Sequence, residues 1–299
     1  MTNDNGGVSM NTIWSTFIQK IGTLHQTRQL RFDDRFKEDY TRVFDIGNAK
    51  KILEIGAGPG ALTQSLKRWY PRAEVIGSDR DTAFVEFAKI QAPDIEFVEA
   101  DINCLPFCDD SFDVAISNTV QEHADPSKFF GEQYRVLKPG GVCLVLSGRR
   151  GINIISSMIT EVSNFESEML RKTKQYYDEV DKEHNVAKYC TSEQELPAIM
   201  SEFGFKNIQT HYLTVNLTPD SEQFDSEFAI KMIEANRRVH LDSLEYLPYI
   251  APRVVTKDEF DKWADEINRK YDKRIAQYNS GIKQWDTNVS LTAVLRGVK

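Results

Sequence analysis

The fold is decided by one stretch of ten residues: Lys51-Ile52-Leu53-Glu54-Ile55-Gly56-Ala57-Gly58-Pro59-Gly60. Its apolar start predicts a buried strand, its alternate glycines predict a tight turn, and residues 61–70 continue with a helical pattern. A strand, a glycine turn and a helix suit a nucleotide-like ligand, because glycine permits close approach and the helix start offers free N–H groups. Glu54 is unusual, since a carboxylate on an apolar strand needs hydrogen-bond donors.

A dinucleotide is one kind of cofactor that fits this stretch. The dinucleotide fingerprint G-x-G-x-x-G/A is matched by Gly56, Gly58 and Ala61. Asp79 follows at about the 20-residue spacing that this fingerprint requires. Glu54 and the third glycine, Gly60, are not required by it. The turn alone therefore leaves the cofactor open.

Composition limits the class of protein. The chain has 299 residues, of which 40% are hydrophobic, enough for one large α/β domain with insertions. The net charge of −8 argues against non-specific binding to nucleic acid or to an anionic membrane. Residues 1–7 lack the pattern of a signal peptide, and no apolar run reaches the roughly 18 residues of a membrane span. We therefore expect a cytoplasmic protein without a membrane partner.

The four cysteines do not predict a metal site. They are Cys104, Cys108, Cys143 and Cys190, and no two of them form a C-x-x-C pair. Neither a second ligand pair nor a histidine cluster accompanies them. Reduced thiols and no bound metal are the expectation.

Alternating strand and helix patterns predict a parallel sheet. The first five strands are expected at 51–55, 74–77, 95–98, 114–116 and 142–146. Two late strands are expected at 205–217 and 288–298, after helical insertions. Residues 11–44 have a helical pattern that includes Arg28 and Arg31. These arginines are either solvated on a surface helix or part of a lid that binds a cofactor carboxylate.

The motifs downstream of the glycine turn resemble a known family. They read EADINCLPFCDDSFDVAIS (99–117), EHADP (122–126) and YRVLKPGGVCLVLS (134–147). With Glu54 and Gly60, which complete E-x-G-x-G-x-G, they resemble the class I S-adenosylmethionine (SAM)-dependent methyltransferases, of the type 11 or ubiquinone/menaquinone C-methyltransferase-like kind. The resemblance covers about residues 48–148. It implies an α/β fold with a doubly wound, mostly parallel seven-stranded sheet, and a reaction that converts SAM to S-adenosylhomocysteine.

The resemblance and the extra sequence together predict a segmented organisation. The expected parts are an N-terminal helical lid (1–45), a SAM-binding core (46–150), a helical cap insertion (151–190), a core helix and strand (191–217), a second helical cap insertion (218–287) and a final core strand (288–299). The acceptor site is expected over the strand ends, beneath the lid and the two insertions.

The resemblance also assigns a cofactor site. Its residues are Glu54, Gly56, Ala57, Gly58, Gly60, Asp79, Arg80, Asp101, Ile102, Ser117 and Asn118. In the family pattern Asp79 holds the ribose hydroxyls, Arg80 flanks the adenine, and Asp101 with the Ile102 amide binds the adenine edge. Ser117 and Asn118 would lie beside the methionine part.

The reaction and its acceptor are predicted less fully than the cofactor. Transfer from a sulfonium needs mainly correct placement of the acceptor, so no catalytic residue is assigned. His123 could take an acceptor's proton, or could belong only to the fold.

Ser117-Asn118-Thr119-Val120 stands where DNA-amino methyltransferases carry Asn/Asp-Pro-Pro-Tyr/Phe. We expect a small-molecule acceptor and a monomer or homodimer. The alternatives are an NAD-dependent oxidoreductase and a non-catalytic SAM-binding protein.

Overall fold

The chain folds as a central sheet with helices on both faces. The computed structural model describes residues 14–18, 20–148, 154–156, 162–192 and 194–299. The strands are β1 (Lys51–Ile55), β2 (Glu74–Asp79), β3 (Glu96–Glu99), β4 (Phe112–Asn118), β5 (Leu137–Gly148), β6 (Ile154–Ser156), β7 (Lys206–Leu217) and β8 (Thr287–Val298). The helices are α1 (Ile21–Arg31), α2 (Lys37–Phe44), α3 (Ala61–Trp69), α4 (Thr82–Gln91), α5 (Pro126–Val136), α6 (Asn164–Glu183), α7 (Glu195–Glu202), α8 (Ser226–Glu245), α9 (Leu247–Ile250) and α10 (Lys257–Asn279).

The sheet confirms the predicted doubly wound topology. Across the sheet the strands follow the order β3-β2-β1-β4-β5-β8, with β7 on the far side of β8. The first five strands are parallel, and Leu53 of β1 is in register with Ile76 on one side and Ala115 on the other. β8 runs antiparallel to both β5 and β7, as the late strand pair predicts. The reversal of strand order beside β1 creates the crevice in which such sheets bind ligands.

One predicted helical stretch is wrong. Ile154 and Ile155 were expected on the face of a helix, but they form β6, which pairs with Val289 and Asn288 of β8. β8 extends beyond its pairing with β5, which stops at Thr292, so its edge is available to a further strand. β-branched isoleucine fits that extended position well. Met158 and Ile159, expected on the same helix, lie outside the described residues.

The N-terminal helical pattern is divided into several elements. A π-helical turn covers Trp14–Ile18, α1 follows, and a 3₁₀ turn over Asp34–Phe36 separates α1 from α2. Asp33 causes the break, because its carboxylate accepts the backbone N–H of Arg35 and starts the new turn. The division lets α1 and α2 take different directions against the core.

The sequence patterns Thr191-Ser192-Glu193-Gln194 and Thr256-Lys257-Asp258-Glu259 each predict a capping box at the start of a helix, and the two predictions have different outcomes. Thr256 and Glu259 form the expected reciprocal pair at the start of α10. At the start of α7 the reciprocal pair is Ser192 with Glu195, one residue later than the expected Thr191–Gln194 box. Both helices nevertheless begin within a few residues of the predicted positions.

The insertions form a helical unit with its own apolar core. Its buried members come from α6, α8, α9 and α10: Met169, Ile233, Leu244, Leu247, Trp263, Ile267 and Tyr271. The aromatic residues of α10 recur at helical spacing, which predicts packing, and they all belong to this core or pack against it: Phe260, Trp263, Tyr271 and Tyr278. The fully buried Arg274 anchors this unit by donating to Asp220 over 2.6 Å and to Asp286 over 2.8 Å.

The helical unit also reaches the N-terminal helices. α1 packs along α8. Lys20 pairs with Glu245 near the end of α8, and Arg35 pairs with Asp225, the N-cap of α8, over 2.5 Å. α1 is therefore held between the sheet and the helical unit. No helix within the described ranges is both long and apolar enough to cross a membrane.

Candidate active site

A cleft opens at the carboxyl ends of β1, β2 and β4. About 950 Å³ of space lies between its walls, including the part open to solvent. Its lining residues are Trp14, Leu24, Arg28, Phe32, Glu54, Ile55, Gly56, Ala57, Gly58, Pro59, Ala61, Leu62, Asp79, Arg80, Phe84, Ala100, Ile102, Asn118, Thr119, Val120, His123 and Ala124. An apolar cleft with a few polar groups at the switch point of the sheet is the usual form of a cofactor site.

The glycine turn forms one wall of this cleft. Gly56 and Gly58 have positive φ angles of 68° and 54°, which favour glycine. A Cβ at Gly56 would lie 2.3 Å from a methyl of Val120, so no side chain fits there. Gly60 has a φ of 83° and starts α3, where a Cβ would meet the ring of Phe97 at 2.8 Å. Gly56 and Gly60 therefore allow close packing, whereas a Cβ at Gly58 would meet only Leu24, at 3.8 Å.

Glu54 lies at the base of the turn in a buried position. It is 2% exposed, and its Oε2 accepts the hydroxyl of Thr63 over 2.5 Å. Burial raises the pKa of Glu54 to about 8, the negative charge of Asp79 adds to the rise, and the Thr63 hydrogen bond opposes it. Burying the carboxyl group of Glu54 on an apolar strand is unfavourable, and the hydroxyl of Thr63 on α3 supplies the hydrogen-bond donor that it needs.

Asp79 fixes the turn from the end of β2. Its Oδ2 accepts the Gly58 N–H over 2.8 Å, and its Oδ1 accepts the Asp81 N–H over 2.9 Å. Burial raises the pKa of Asp79, while these two hydrogen bonds oppose the rise. The neighbouring Arg80 is exposed at the rim of the cleft. Each oxygen of Asp79 keeps a second lone pair for a ligand hydroxyl.

Helix α1 forms the facing wall. His25 donates its Nδ1–H to the Pro59 carbonyl over 3.0 Å, which docks α1 on the glycine turn. Arg28 lines the cleft and donates to the Thr119 hydroxyl over 3.4 Å. Among the described residues, no carboxylate lies within 4.0 Å of its guanidinium. Burial, and next the charge of Arg31, lower the pKa of Arg28 to about 9. The cleft therefore contains a cation that lacks a close counter-ion in the described chain.

The segment after β4 closes the third side. Thr119 has a positive φ of 56°, and a 3₁₀ turn over Gln121–His123 follows. The ring of His123 lies edge-on to Trp14, with centroids 4.5 Å apart. Its Nδ1 accepts the backbone N–H of Ala187 over 3.0 Å. The turn that ends the first insertion thus orients His123.

Eight of the eleven sequence-assigned residues line the cleft. They are Glu54, Gly56, Ala57, Gly58, Asp79, Arg80, Ile102 and Asn118. Asp101 is exposed beside the cleft, where its Oδ1 accepts hydrogen bonds from the backbone N–H and the side-chain amide of Asn103. Ser117 is fully buried on β4 and Gly60 packs on Phe97, so neither contributes to the wall. The cofactor roles of all eleven residues remain predictions.

Several lining residues are not in the sequence-based set. They include Trp14, Leu24, Phe32, Phe84, Thr119, Val120 and Ala124. Apolar residues on helices have the same periodicity whether they face a core or a ligand, so no sequence signal separates them. Arg28 was one of two arginines considered for the lid, and it lines the cleft, whereas Arg31 does not.

Known proteins match this region of the chain. Residues 53–145 match the family model described as a methyltransferase domain. A demethylmenaquinone methyltransferase of Thermus thermophilus is 41% identical over 102 residues, which are 32% of this chain and 46% of the relative. A malonyl-[acyl-carrier protein] O-methyltransferase of Hahella chejuensis is 28% identical over 158 residues, 52% of this chain and 50% of the relative. The chain thus spans about half the length of these curated relatives.

Solved structures share the fold over nearly the whole chain. Phosphoethanolamine N-methyltransferase 2 of Haemonchus contortus, in complex with phosphomonomethylethanolamine and S-adenosylhomocysteine, has a TM-score of 0.52 at 17% identity. The match covers 98% of this chain and 61% of that protein. The same enzyme in complex with SAM gives 0.52 at 19% identity.

The sheet order, the glycine turn and these matches define the fold. The chain has the Rossmann-like fold of the class I SAM-dependent methyltransferases. Within that fold, residues 53–145 match the methyltransferase domain and are similar to part of a demethylmenaquinone methyltransferase.

Proposed function

We propose that this chain is a SAM-dependent methyltransferase that acts on a small-molecule acceptor. One observation carries the proposal: a glycine turn, a carboxylate and an arginine with no carboxylate within 4.0 Å in the described chain line one cleft at the switch point of the sheet. The turn contains Gly56 and Gly58, the carboxylate is Asp79 and the arginine is Arg28. The carboxylate suits the sugar of SAM and the arginine suits its amino-acid end, while the turn lets a cofactor lie close to the backbone.

The adenosine end is proposed to lie along β2. The remaining lone pairs of Asp79 would accept the two ribose hydroxyls, a charge-assisted pair of contacts. Arg80 at the rim would flank the adenine, and Ile102 would offer its backbone N–H to the ring. Asp101, at the edge of the cleft, would bind the adenine amino group after its side chain leaves Asn103.

The amino-acid end is proposed to lie under α1. Arg28 would bind the carboxylate of the cofactor and so obtain the counter-ion that the described chain does not supply. This contact would also join the cofactor to the lid, since His25 fastens the same helix to the glycine turn. Glu54 would order the turn from below through its bond to Thr63.

When bound, SAM supplies an activated methyl group for in-line displacement. The residues of the chain would then act mainly by placement, which can lower a barrier by several kcal/mol, roughly 7–11 for well-oriented reactants. Trp14 and α1 would exclude water, while Val120 and His123 would hold the acceptor side. Catalysis by placement explains why motifs reveal the donor site and not a catalytic residue.

The N-terminal segment (1–45) and the two insertions (151–190 and 218–287) are proposed to determine the acceptor. α1 lines the cleft, α8 packs along α1, and α10 packs against α8. The similar proteins include a demethylmenaquinone methyltransferase and a malonyl-[acyl-carrier protein] O-methyltransferase, which supports a small or carrier-bound acceptor. The negative net charge supports an acceptor other than nucleic acid.

The test is isothermal titration of the full chain with SAM, S-adenosylhomocysteine and NAD. Tight binding of both sulfur compounds, weakened about tenfold or more by Asp79→Asn, would support the donor site. Asp94→Asn is the matched control, because Asp94 is exposed at the far end of α4. Binding of NAD alone would overturn the proposal in favour of an oxidoreductase. SAM binding without methyl transfer to a broad panel of acceptors would favour a non-catalytic SAM-binding protein.

A further inference from the structure

Thr119 has a strained backbone in the wall of the cleft. Its φ of 56° lies in the left-handed region, which a residue with a branched Cβ rarely adopts. Among the described residues, the other positions with a positive φ carry glycine, aspartate, asparagine, alanine or tryptophan, and none of these is branched at Cβ. Strain of this kind persists only where neighbouring contacts hold it, and it is concentrated at functional sites.

The sheet holds Thr119 in this conformation. Its N–H donates to the Leu146 carbonyl of β5 over 2.8 Å, which continues the strand pairing beyond the end of β4. The next residue, Val120, packs against the glycine turn, where a Cβ at Gly56 would lie 2.3 Å from one of its methyl groups. The position of Thr119 is therefore determined by the sheet and the glycine turn.

The hydroxyl of Thr119 meets the lid. Arg28 of α1 donates to Thr119 Oγ1 over 3.4 Å, and both residues line the cleft. Within the described chain, no other side chain forms a hydrogen bond with this guanidinium. Burial lowers the pKa of Arg28, the charge of Arg31 adds to the fall, and the charge of Glu122 opposes it. A hydrogen bond depends on direction more strongly than these charges do, so the hydroxyl orients the planar guanidinium.

We propose that Thr119 is a positioning residue: its strained backbone aims the hydroxyl at Arg28, and the hydroxyl directs the guanidinium towards the carboxylate of SAM. The inference rests on the proposed function, in which Arg28 binds that carboxylate, and adds a residue that determines specificity for the amino-acid end. A guanidinium has five N–H donors in a planar fork. The bond to Thr119 uses Nη2 and leaves other donors for the carboxylate.

A hydroxyl suits this role better than a carboxylate at the same position. A carboxylate would orient the guanidinium but would also neutralise it and compete with the cofactor. The neutral hydroxyl orients Arg28 and leaves its positive charge for the ligand. Thr119 thus links the rigid sheet to the one cation that the lid brings into the cleft among the described residues of α1.

The first test compares side chains at position 119 by titration calorimetry of the full chain. Thr119→Val keeps the branched shape and removes the hydroxyl, so SAM binding should weaken by about three- to tenfold. Thr119→Ser keeps the hydroxyl and should bind SAM within about twofold of wild type. Decarboxylated SAM should bind Thr119→Val and wild type alike, because it offers Arg28 no carboxylate. Thr214→Val, exposed on β7, is the control and should bind both compounds normally.

The second test is a double-mutant cycle with Arg28→Met. Because Thr119 acts through Arg28, adding Thr119→Val to Arg28→Met should weaken SAM binding by no more than about a further twofold. If Thr119→Val weakened SAM binding by the same factor with and without Arg28→Met, the two residues would act independently and the inference would be wrong.

Two results of the first test would also overturn the inference. One is equal weakening of SAM and decarboxylated SAM by Thr119→Val, which would mean that the threonine only shapes the cleft. The other is a loss of SAM affinity in Thr119→Ser as large as that in Thr119→Val. Absence of SAM and S-adenosylhomocysteine binding by the wild type would instead refute the proposed function.

Discussion

The two facing walls of the cleft are built in different ways. The turn wall, formed by residues 54–59 with Asp79 and Arg80, comes from adjacent elements of one parallel sheet. The lid wall, formed by Trp14 and α1, is held by contacts to residues far away in sequence, such as Pro59 and Thr119. Local chemistry therefore specifies the turn wall, whereas long-range packing specifies the lid wall. Four predictions separate the two.

The largest effect is expected where the helical unit that supports the lid wall joins the sheet. Arg274→Met leaves Asp220 and Asp286 buried without their cation, which should lower the free energy of unfolding by about 3–5 kcal/mol. Urea denaturation measures it. Lys283→Met removes an exposed pair with Glu222 and should cost less than about 1 kcal/mol. Equal effects of the two variants would mean that the buried pair does not anchor the unit.

Beneath the turn wall, stability should depend on pH through Glu54. Its pKa in the fold is about 8, above the ordinary 4.5, so the folded chain binds more protons between these values. The stabilisation is therefore complete below about pH 4.5 and is lost as the pH rises towards 8, by at most about 1.4 kcal/mol per pH unit. Glu54→Gln keeps an acceptor for Thr63 and should flatten this slope, while the exposed Glu74→Gln should not. An unchanged slope in Glu54→Gln would contradict the assignment.

The surface of the turn wall is tested at Gly56. Gly56→Ala places a Cβ against Val120 and strains a φ of 68°, which should weaken S-adenosylhomocysteine binding about tenfold or more. Shortening Val120 to Ala in the same chain should restore part of the affinity. Gly131→Ala, on an open face of α5, is the control and should bind normally. Titration calorimetry distinguishes these outcomes, and normal binding by Gly56→Ala would show that the close approach of the turn to Val120 does not shape the binding site.

The smallest effect concerns the lid wall. Arg28→Met should weaken SAM binding by about tenfold, because the cofactor carboxylate loses its charged donor. Arg31→Met should have a smaller effect, since Arg31 does not line the cleft. Decarboxylated SAM should bind Arg28→Met and wild type alike. If Arg31→Met bound SAM and decarboxylated SAM equally well, while Arg28→Met still preferred SAM, then Arg31 and not Arg28 would bind the carboxylate.

The sequence by itself determined the parallel sheet, the glycine turn and the acidic end of β2. These features depend on residues close in sequence, where strand pattern, φ requirements and spacing act directly. The same local rules predicted the capping box of Thr256 and Glu259, and the packing stripe of α10. They failed at Ile154 and Ile155, because only the free edge of β8 decides that these residues extend.

Tertiary structure alone decided what faces the turn wall. The sequence presented Arg28 and Arg31 as equals, and the docking of His25 on Pro59 turns one of them into the cleft. It presented His123 as a possible base, and the amide of Ala187, 64 residues away, occupies its Nδ1 with a hydrogen bond. Such contacts depend on how distant elements pack. A backbone N–H donor does not depend on the type of residue that carries it, so the sequence does not reveal which amide will contact the histidine.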